Sequence, residues 1–315
     1  MARTELNRIL LIWIIVMILV ALVGDVTVAA TDVGRTAADF LMIGHGARAA
    51  SLGGAYTAMA SEATAAYWNP AGLTGLEGTE VTFGHFAWFQ DITVEQASFG
   101  FPLSDRFSGA LSATYVSYGT IQGYDLTGQP SDDVVAYDWN GGISLAAAIS
   151  DRFSIGLTGR YINQRLDDVS ASAFAGDFGV RYSDESFAIG ATVVNLGSDM
   201  KFYQASEKLP AAARLGVMFR PFSETVATSL EVEQRFYGDL YIRQGLEFGF
   251  DETYFLRAGF DYLPAQDGRS LASGITAGAG LSLSFVEFDY AFTPNDQSTS
   301  EDLHRFTLTF FLGSR

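Results

Sequence analysis

The chain has 315 residues, a formal net charge of −17, no cysteine, and only 17% charged side chains against 33 glycines, 25 phenylalanines and 14 tyrosines. So acidic a chain has the wrong sign for phosphate backbones, which excludes a nucleic-acid partner, and without thiols its stability must come from strand pairing and burial rather than disulfides. The mix is too apolar for disorder and suits a sheet-rich protein facing an apolar solvent.

The first 30 residues predict an export signal. Arg3 and Arg8 precede an apolar run from Ile9 to Val23, and Val28-Ala29-Ala30 supplies the small residues of a cleavage site. The run falls short of the ~20 residues a spanning helix needs, and no other segment reads as a transmembrane helix.

Residues 31–77 read as a separate hatch. From Thr36 to Leu73 no alternation is sustained, and alanine and glycine dominate; small residues permit the close backbone approach of a compact plug made of short helices and turns. The stretch closes on "YWNPAGL", Tyr67 to Leu73. Here Tyr67 and Trp68 are expected to anchor the plug. Pro70 ends the preceding structure and biases Asn69 to extended or turn geometry, and Gly72 permits a positive φ. Gly44, Gly46 and Ala49 match a G-x-G-x-x-A spacing. No βαβ unit follows to make that a dinucleotide site, so these glycines, with Gly53 and Gly54, are read as packing a plug against a wall.

Residues 78–315 alternate with period two, the sign of strands with two different faces. On one stretch Phe153, Ile155, Leu157 and Tyr161 share one parity, and Ser154, Gly156, Thr158 and Arg160 share the other. The pattern predicts about fourteen antiparallel strands of roughly 10 to 14 residues, long enough to cross a bilayer at a tilt. Tight turns are expected at 103–107, 149–153, 183–186, 220–224 and 250–253, and longer loops at 120–136, 166–172, 198–208, 264–270 and 294–302. Short connections on one side and long ones on the other are the habit of outer-membrane barrels, with the short side in the periplasm.

The small and polar parity carries charges of both signs: Arg160, Asp177, Arg181, Arg214, Arg220, Glu231, Glu233, Arg235, Arg243, Glu247, Arg257, Asp261, Glu287 and Asp289. A soluble sheet would turn that face to water; paired charges instead suit a barrel lumen. Aromatic residues near strand ends, among them Trp88, Phe89, Tyr118, Trp139, Tyr161, Tyr203, Tyr241 and Tyr290, are candidates for interfacial girdles.

The hatch segment "FLMIGHGARAASLGGAYTAMASEATAAYWNPAGL", Phe40 to Leu73, resembles the N-terminal signature of the PorV/PorQ family within the FadL-like outer-membrane group. The resemblance is dense there, and the strand pattern carries it coarsely over the rest. It implies an all-β fold: a fourteen-stranded transmembrane barrel with an N-terminal hatch in its lumen, multi-pass in the outer membrane of a Gram-negative bacterium. For function it implies two readings. PorV-like members act in type IX secretion, binding the C-terminal signal of exported proteins and passing them to a surface attachment complex. FadL-like members pass hydrophobic small molecules. This chain departs from the family in its short external loops and in its end "FTLTFFLGSR", where Phe311 is not terminal.

Little else points to chemistry. His45, His85 and His304 are too scattered for a metal site; His85 and His304 fall on the first and last strands, which meet if a barrel closes. No G-x-S-x-G elbow occurs. The pairs Asp132-Asp133 and Asp167-Asp168 read as solvated loop residues, and Glu231 with Glu233, beside Arg235, as lumenal ion pairing rather than acid–base chemistry. The expectation is a non-enzymatic barrel with neither metal nor cofactor. Its partners are outer-membrane lipid and either exported proteins with their secretion components or a hydrophobic small molecule.

Overall fold

Fourteen of the strands close into one antiparallel barrel. The computed structural model describes residues 36–88, 91–203, 205–221, 225–263, 274–294 and 302–313. The expected signal segment, the first hatch residues, Phe89, the end of the 220–224 turn, all of the 264–270 loop and most of the 294–302 loop lie outside the described residues. In chain order the strands are β1 (Thr79–Ala87), β2 (Thr93–Ser104), β3 (Phe107–Ser117), β4 (Ala136–Ala148), β5 (Phe153–Leu166), β6 (Val169–Ser183), β7 (Phe187–Gly197), β8 (Met200–Phe202) and β9 (Ala205–Glu207). They continue with β10 (Ala212–Phe219), β11 (Val226–Arg235), β12 (Leu240–Phe250), β13 (Tyr254–Tyr262), β14 (Ile275–Ser282), β15 (Val286–Thr293) and β16 (Leu303–Leu312). β8 and β9 form a separate small hairpin; every other strand pairs with its neighbours around the wall, and β1 closes on β16 from Thr79↔Leu312 to Phe86↔Arg305. Closure removes the unpaired edges that a bilayer cannot satisfy.

The parity rule decides which face is which. On β5, Leu157 is 60% exposed while Thr158 and Arg160 are each 4% exposed. Over most of the wall large apolar side chains therefore point outward, and the polar parity is the buried one, the inverse of a soluble sheet.

Inside the wall lie the hatch elements: a 3₁₀ turn at Asp39–Met42, the one-turn helices α1 (Ala47–Ser51) and α2 (Ala65–Trp68), and a second 3₁₀ turn at Pro70–Gly75. They are too short to be stable alone, so the barrel must hold them. One apolar cluster joins Leu52, Tyr56, Tyr67, Trp68 and Leu73 to small wall residues such as Ala146 and Ala188. Another closes the lumen toward the long loops, packing Phe40 and Leu41 on Phe86, Val94, Val116 and Ile162.

Several connections differ from expectation. The loop expected at 166–172 is a tight turn: Leu166 pairs directly with Val169, and Asp167 adopts a φ of 53°, a conformation aspartate tolerates. The polar run that looked like loop is continued strand. The 198–208 loop contains the β8–β9 hairpin. Barrel strands range from 8 to 15 residues, wider than the expected spread. Of the girdle candidates, Trp88 packs on the inner cluster with Phe86, Tyr118 donates inward to Asp138 Oδ2 at 2.7 Å, and the Tyr241 ring lies beneath Arg235 and Arg243. Tyr203, 87% exposed, sits on the β8–β9 hairpin beyond the wall.

Thr36 forms a parallel bridge with Lys208, on the long-loop side, so the described part of the hatch starts at the long-loop rim and runs down to the short-turn side. In this cysteine-free chain, Thr36→Cys should react with an impermeant maleimide on intact cells, and Ser104→Cys, in an exposed short turn, should not. The reverse pattern would invert the topology.

Candidate functional site

The junction between hatch and wall is built around Asn69. It is 0% exposed and extended, with φ −159° and ψ 103°, a geometry imposed by the following proline. Its Oδ1 accepts from Ala71 N at 3.1 Å and caps the 3₁₀ turn that Pro70 opens. Its Nδ2 donates to Thr57 O in the hatch and to Val180 O on β6, each at 3.1 Å. One amide thus ties the turn, the hatch and the wall. Ser154 Oγ on β5 adds a bond to Ala71 O at 2.9 Å.

The wall makes room by losing side chains. A Cβ on Gly156 would lie 2.3 Å from Pro70 C, and one on Gly179 would lie 2.1 Å from Asn69 Oδ1. Both glycines sit on the lumenal parity of β5 and β6, where only a bare backbone lets the Asn-Pro turn approach. Gly72 needs the same explanation rather than a positive φ: it lies within the 3₁₀ turn, and a Cβ there would meet Ala60 O at 2.2 Å. Gly46, Gly53 and Gly54 do take positive φ, and Gly44 packs on Trp68 and accepts from Gln96 and Arg305.

Tyr67 and Trp68 are buried in a stack. His45 lies flat on Tyr67 at 4.4 Å, Tyr67 OH donates to Leu41 O, and Trp68 Nε1 donates to His45 O. Arg214 Nη1 has no hydrogen-bond partner among the described residues, yet its guanidinium lies 5.4 Å from the Tyr67 ring and 5.3 Å from Trp68. The ring faces take the charge instead. His45 is 3% exposed, with Nε2 2.7 Å from Thr114 Oγ1. Burial, reinforced by Arg160 and Arg305, lowers its pKa from 6.5 to about 3. An unfolded histidine takes a proton below 6.5 while this one does not, so its contribution to stability is complete above pH 6.5 and is lost as pH falls toward 3. Hatch protection from protease should therefore weaken below pH 6.5, by about 1.4 kcal/mol per pH unit, and His45→Gln should flatten that slope.

The lumenal charges form three groups. Arg160 binds Asp177 across β5 and β6 and reaches Ala66 O in the hatch. On β10 to β13, Glu233 accepts from Arg214 Nε at 2.7 Å, Arg235 Nε at 3.0 Å and Arg243 Nη1 at 3.0 Å, and Arg243 also binds Asp261. Next to it, Glu231 accepts the Tyr56 and Thr57 amides at 3.0 and 2.7 Å. The third group runs Arg48, Glu247, Arg257, Asp289, with Arg48 bidentate on Glu247. Glu287 shares the lumenal parity of Asp289. Arg181 Nε holds Ala58 O at 3.1 Å, and Arg220 lies just past β10 in the turn. Many of these charges thus seat the hatch as well as one another.

A cavity of about 590 Å³ remains between hatch and wall on the short-turn side. Its lining includes the carboxylates of Glu62, Glu77, Glu80, Glu252, Glu287 and Asp289 with the guanidiniums of Arg48 and Arg257. Sequence reasoning missed the cavity and the wall glycines. His85 and His304 do reach adjacent strands, but on the outer face, where His85 bonds Glu95 and His304 bonds Tyr290.

Among solved structures, the chain is similar to the Pseudomonas putida toluene transporter TodX, at TM-score 0.64 and 13% identity, covering 86% of this chain and 99% of that one. The Ralstonia pickettii toluene transporter TbuX gives TM-score 0.63 at 13% identity, with 86% and 99% covered. A Pseudomonas aeruginosa FadL homologue gives 0.55 at 11%, with 85% and 98% covered. At such identities the likeness fixes the fold alone, a closed antiparallel barrel. No curated protein matches. The family model for the type IX secretion system protein PorV matches residues 27–236, more than half of the chain. The chain therefore belongs to the PorV family, built on the FadL-like barrel.

Proposed function

We propose that this barrel is a non-enzymatic interaction protein of type IX secretion, engaging exported proteins or other secretion components through surfaces outside the lumen. The observation that carries this reading, beside family membership, is how the lumen is filled. The hatch is bonded to the wall through Asn69, Glu231, Arg160 and Arg181, and the cavity beside it is lined by carboxylates and arginines. A route for hydrophobic molecules needs a mostly apolar lining. The fold shared with toluene transporters supports that alternative, but the polarity of this lumen counts against it.

Deletion of the gene in its host should remove exported proteins from the cell surface, and an affinity-tagged barrel should co-purify with them. Intact display after deletion, with loss of uptake of a monoaromatic hydrocarbon, would replace this reading with the transporter.

A further inference from the structure

The outer face of the wall carries a polar row where lipid should lie. Reading across six strands in register, Tyr290, Phe306, His85, Glu95, Tyr115 and Trp139 are successive neighbours on one outward level. His85 Nδ1 donates to the Glu95 carboxylate at 2.7 Å, with the two side chains 53% and 52% exposed. Beyond Phe306, Tyr290 OH and His304 Nδ1 share a hydrogen bond at 2.8 Å. One register step toward the short-turn side, the row reads Phe288, Leu308, Phe83, Ala97, Ala113 and Gly141. The small residues in its middle leave a depression of about 560 Å³ directly beneath the hydrogen-bonded His85 and Glu95, walled by Phe83, Tyr115, Trp139 and Leu308.

The depth of these rows identifies the occupant class. His85 lies close to the outer end of β1 at Ala87, and Glu95 close to the outer end of β2 at Thr93. That is the level of aromatic belts and lipid head groups, where a charge on the lipid face costs least. Polar groups above an apolar hollow match an amphiphile lying along the wall, head outward and chain inward. The depression's lining contains a carboxylate but no lysine or arginine, so it does not favour a phosphate; a carboxylate accepts hydrogen bonds from sugar hydroxyls, and the aromatic rings beside it, Tyr115 and Trp139, can pack on sugar faces.

We infer that this flank binds an outer-leaflet glycolipid, with one acyl chain in the hollow over Ala97 and Ala113 and the saccharide head group at His85 and Glu95. The inference rests on the outer-membrane location and is independent of the secretion role.

Native mass spectrometry of the purified full chain tests it, titrating glycosyl diacylglycerol against phosphatidylglycerol with the same acyl chains. Wild type should retain the glycolipid at least tenfold better. Glu95→Ala should abolish the preference, and Ala113→Leu, which fills the hollow from the lipid side, should do so with Glu95 intact. Unchanged heat-modifiable migration on gels serves as the folding control. Equal retention of the two lipids by wild type, or a preference undisturbed in both variants, would overturn the proposal. So would a co-purifying protein lost from both variants without any lipid preference, which would make the flank a protein interface.

Discussion

Replacing Asn69 by Ala should unseat the hatch while leaving the barrel assembled. The side chain is fully buried and makes three hydrogen bonds: to Ala71 N, Thr57 O and Val180 O. Alanine cannot make any of them, and each buried group left unmatched costs about 1–3 kcal/mol. A total on the order of 3 kcal/mol or more is expected to fall on the hatch, because the wall's ladders do not pass through Asn69. Trypsin should then cut within 36–75 at protein concentrations where wild type resists, and planar-bilayer recordings should show solute leak absent from wild type. Barrel migration on gels should not change. Asn69→Asp keeps the acceptor for Ala71 but removes both donations, so it should fall close to alanine. An unaltered digest and conductance would show that the Asn-Pro turn is not the latch.

Glu233→Ala should do the opposite and weaken the wall itself. Glu233 is 1% exposed and is shared by Arg214, Arg235 and Arg243, so its loss strands cations inside a low-dielectric lumen. Breaking a buried pair from one side typically costs about 3–5 kcal/mol. Denaturant unfolding in detergent should show a loss of that size. Arg214→Met combined with Glu233→Met should cost clearly less than the sum of the single changes, because it removes a charge from each side. Glu231 supplies the contrast: it accepts the Tyr56 and Thr57 amides, and its loss should appear in hatch proteolysis. A Glu233→Ala barrel as stable as wild type would mean that the charge group around Glu233 does not hold the wall.

Much of the fold was legible because a barrel repeats one rule along the whole wall. Two-residue alternation assigns inside and outside as soon as one strand is read, as on β5, where Leu157 faces out and Arg160 faces in. The rule fails where a strand leaves the bilayer. The polar residues around Asp167 looked like loop because water, not lipid, surrounds that end of β5 and β6, yet the ladder continues to Leu166↔Val169. Trp88, Tyr118 and Tyr241 were misassigned for a related reason: aromatic rings also fill the inner rim and stack on arginines.

The hatch was less legible. Its residues have no period, and what holds each one is distant in sequence. Asn69 could be marked as special because Pro70 follows it, but nothing local shows that its amide reaches Val180. The glycines opposite the hatch had a usable signal. Gly156, Gly179, Gly190 and Gly259 all lie within strands, where glycine is weakening unless another backbone comes close, and a Cβ on any of them would collide with hatch atoms. The hydrogen bond between His85 and Glu95 was visible only as two polar residues on an outward parity.

If the hatch stays seated while the protein works, function lies outside the lumen. Ala58→Cys with Gly216→Cys tests it in a chain without native cysteines. The Cβ of Ala58 and a Cβ built on Gly216 lie 3.5 Å apart, within the range a disulfide bridges, and the bond would lock hatch to wall. The measurement is surface display of exported proteins in cells carrying the double variant, with the bridge formed and again after reduction. Equal display in the two states is expected. Display abolished by the bridge and restored by reductant would contradict it, and would make hatch movement part of the mechanism.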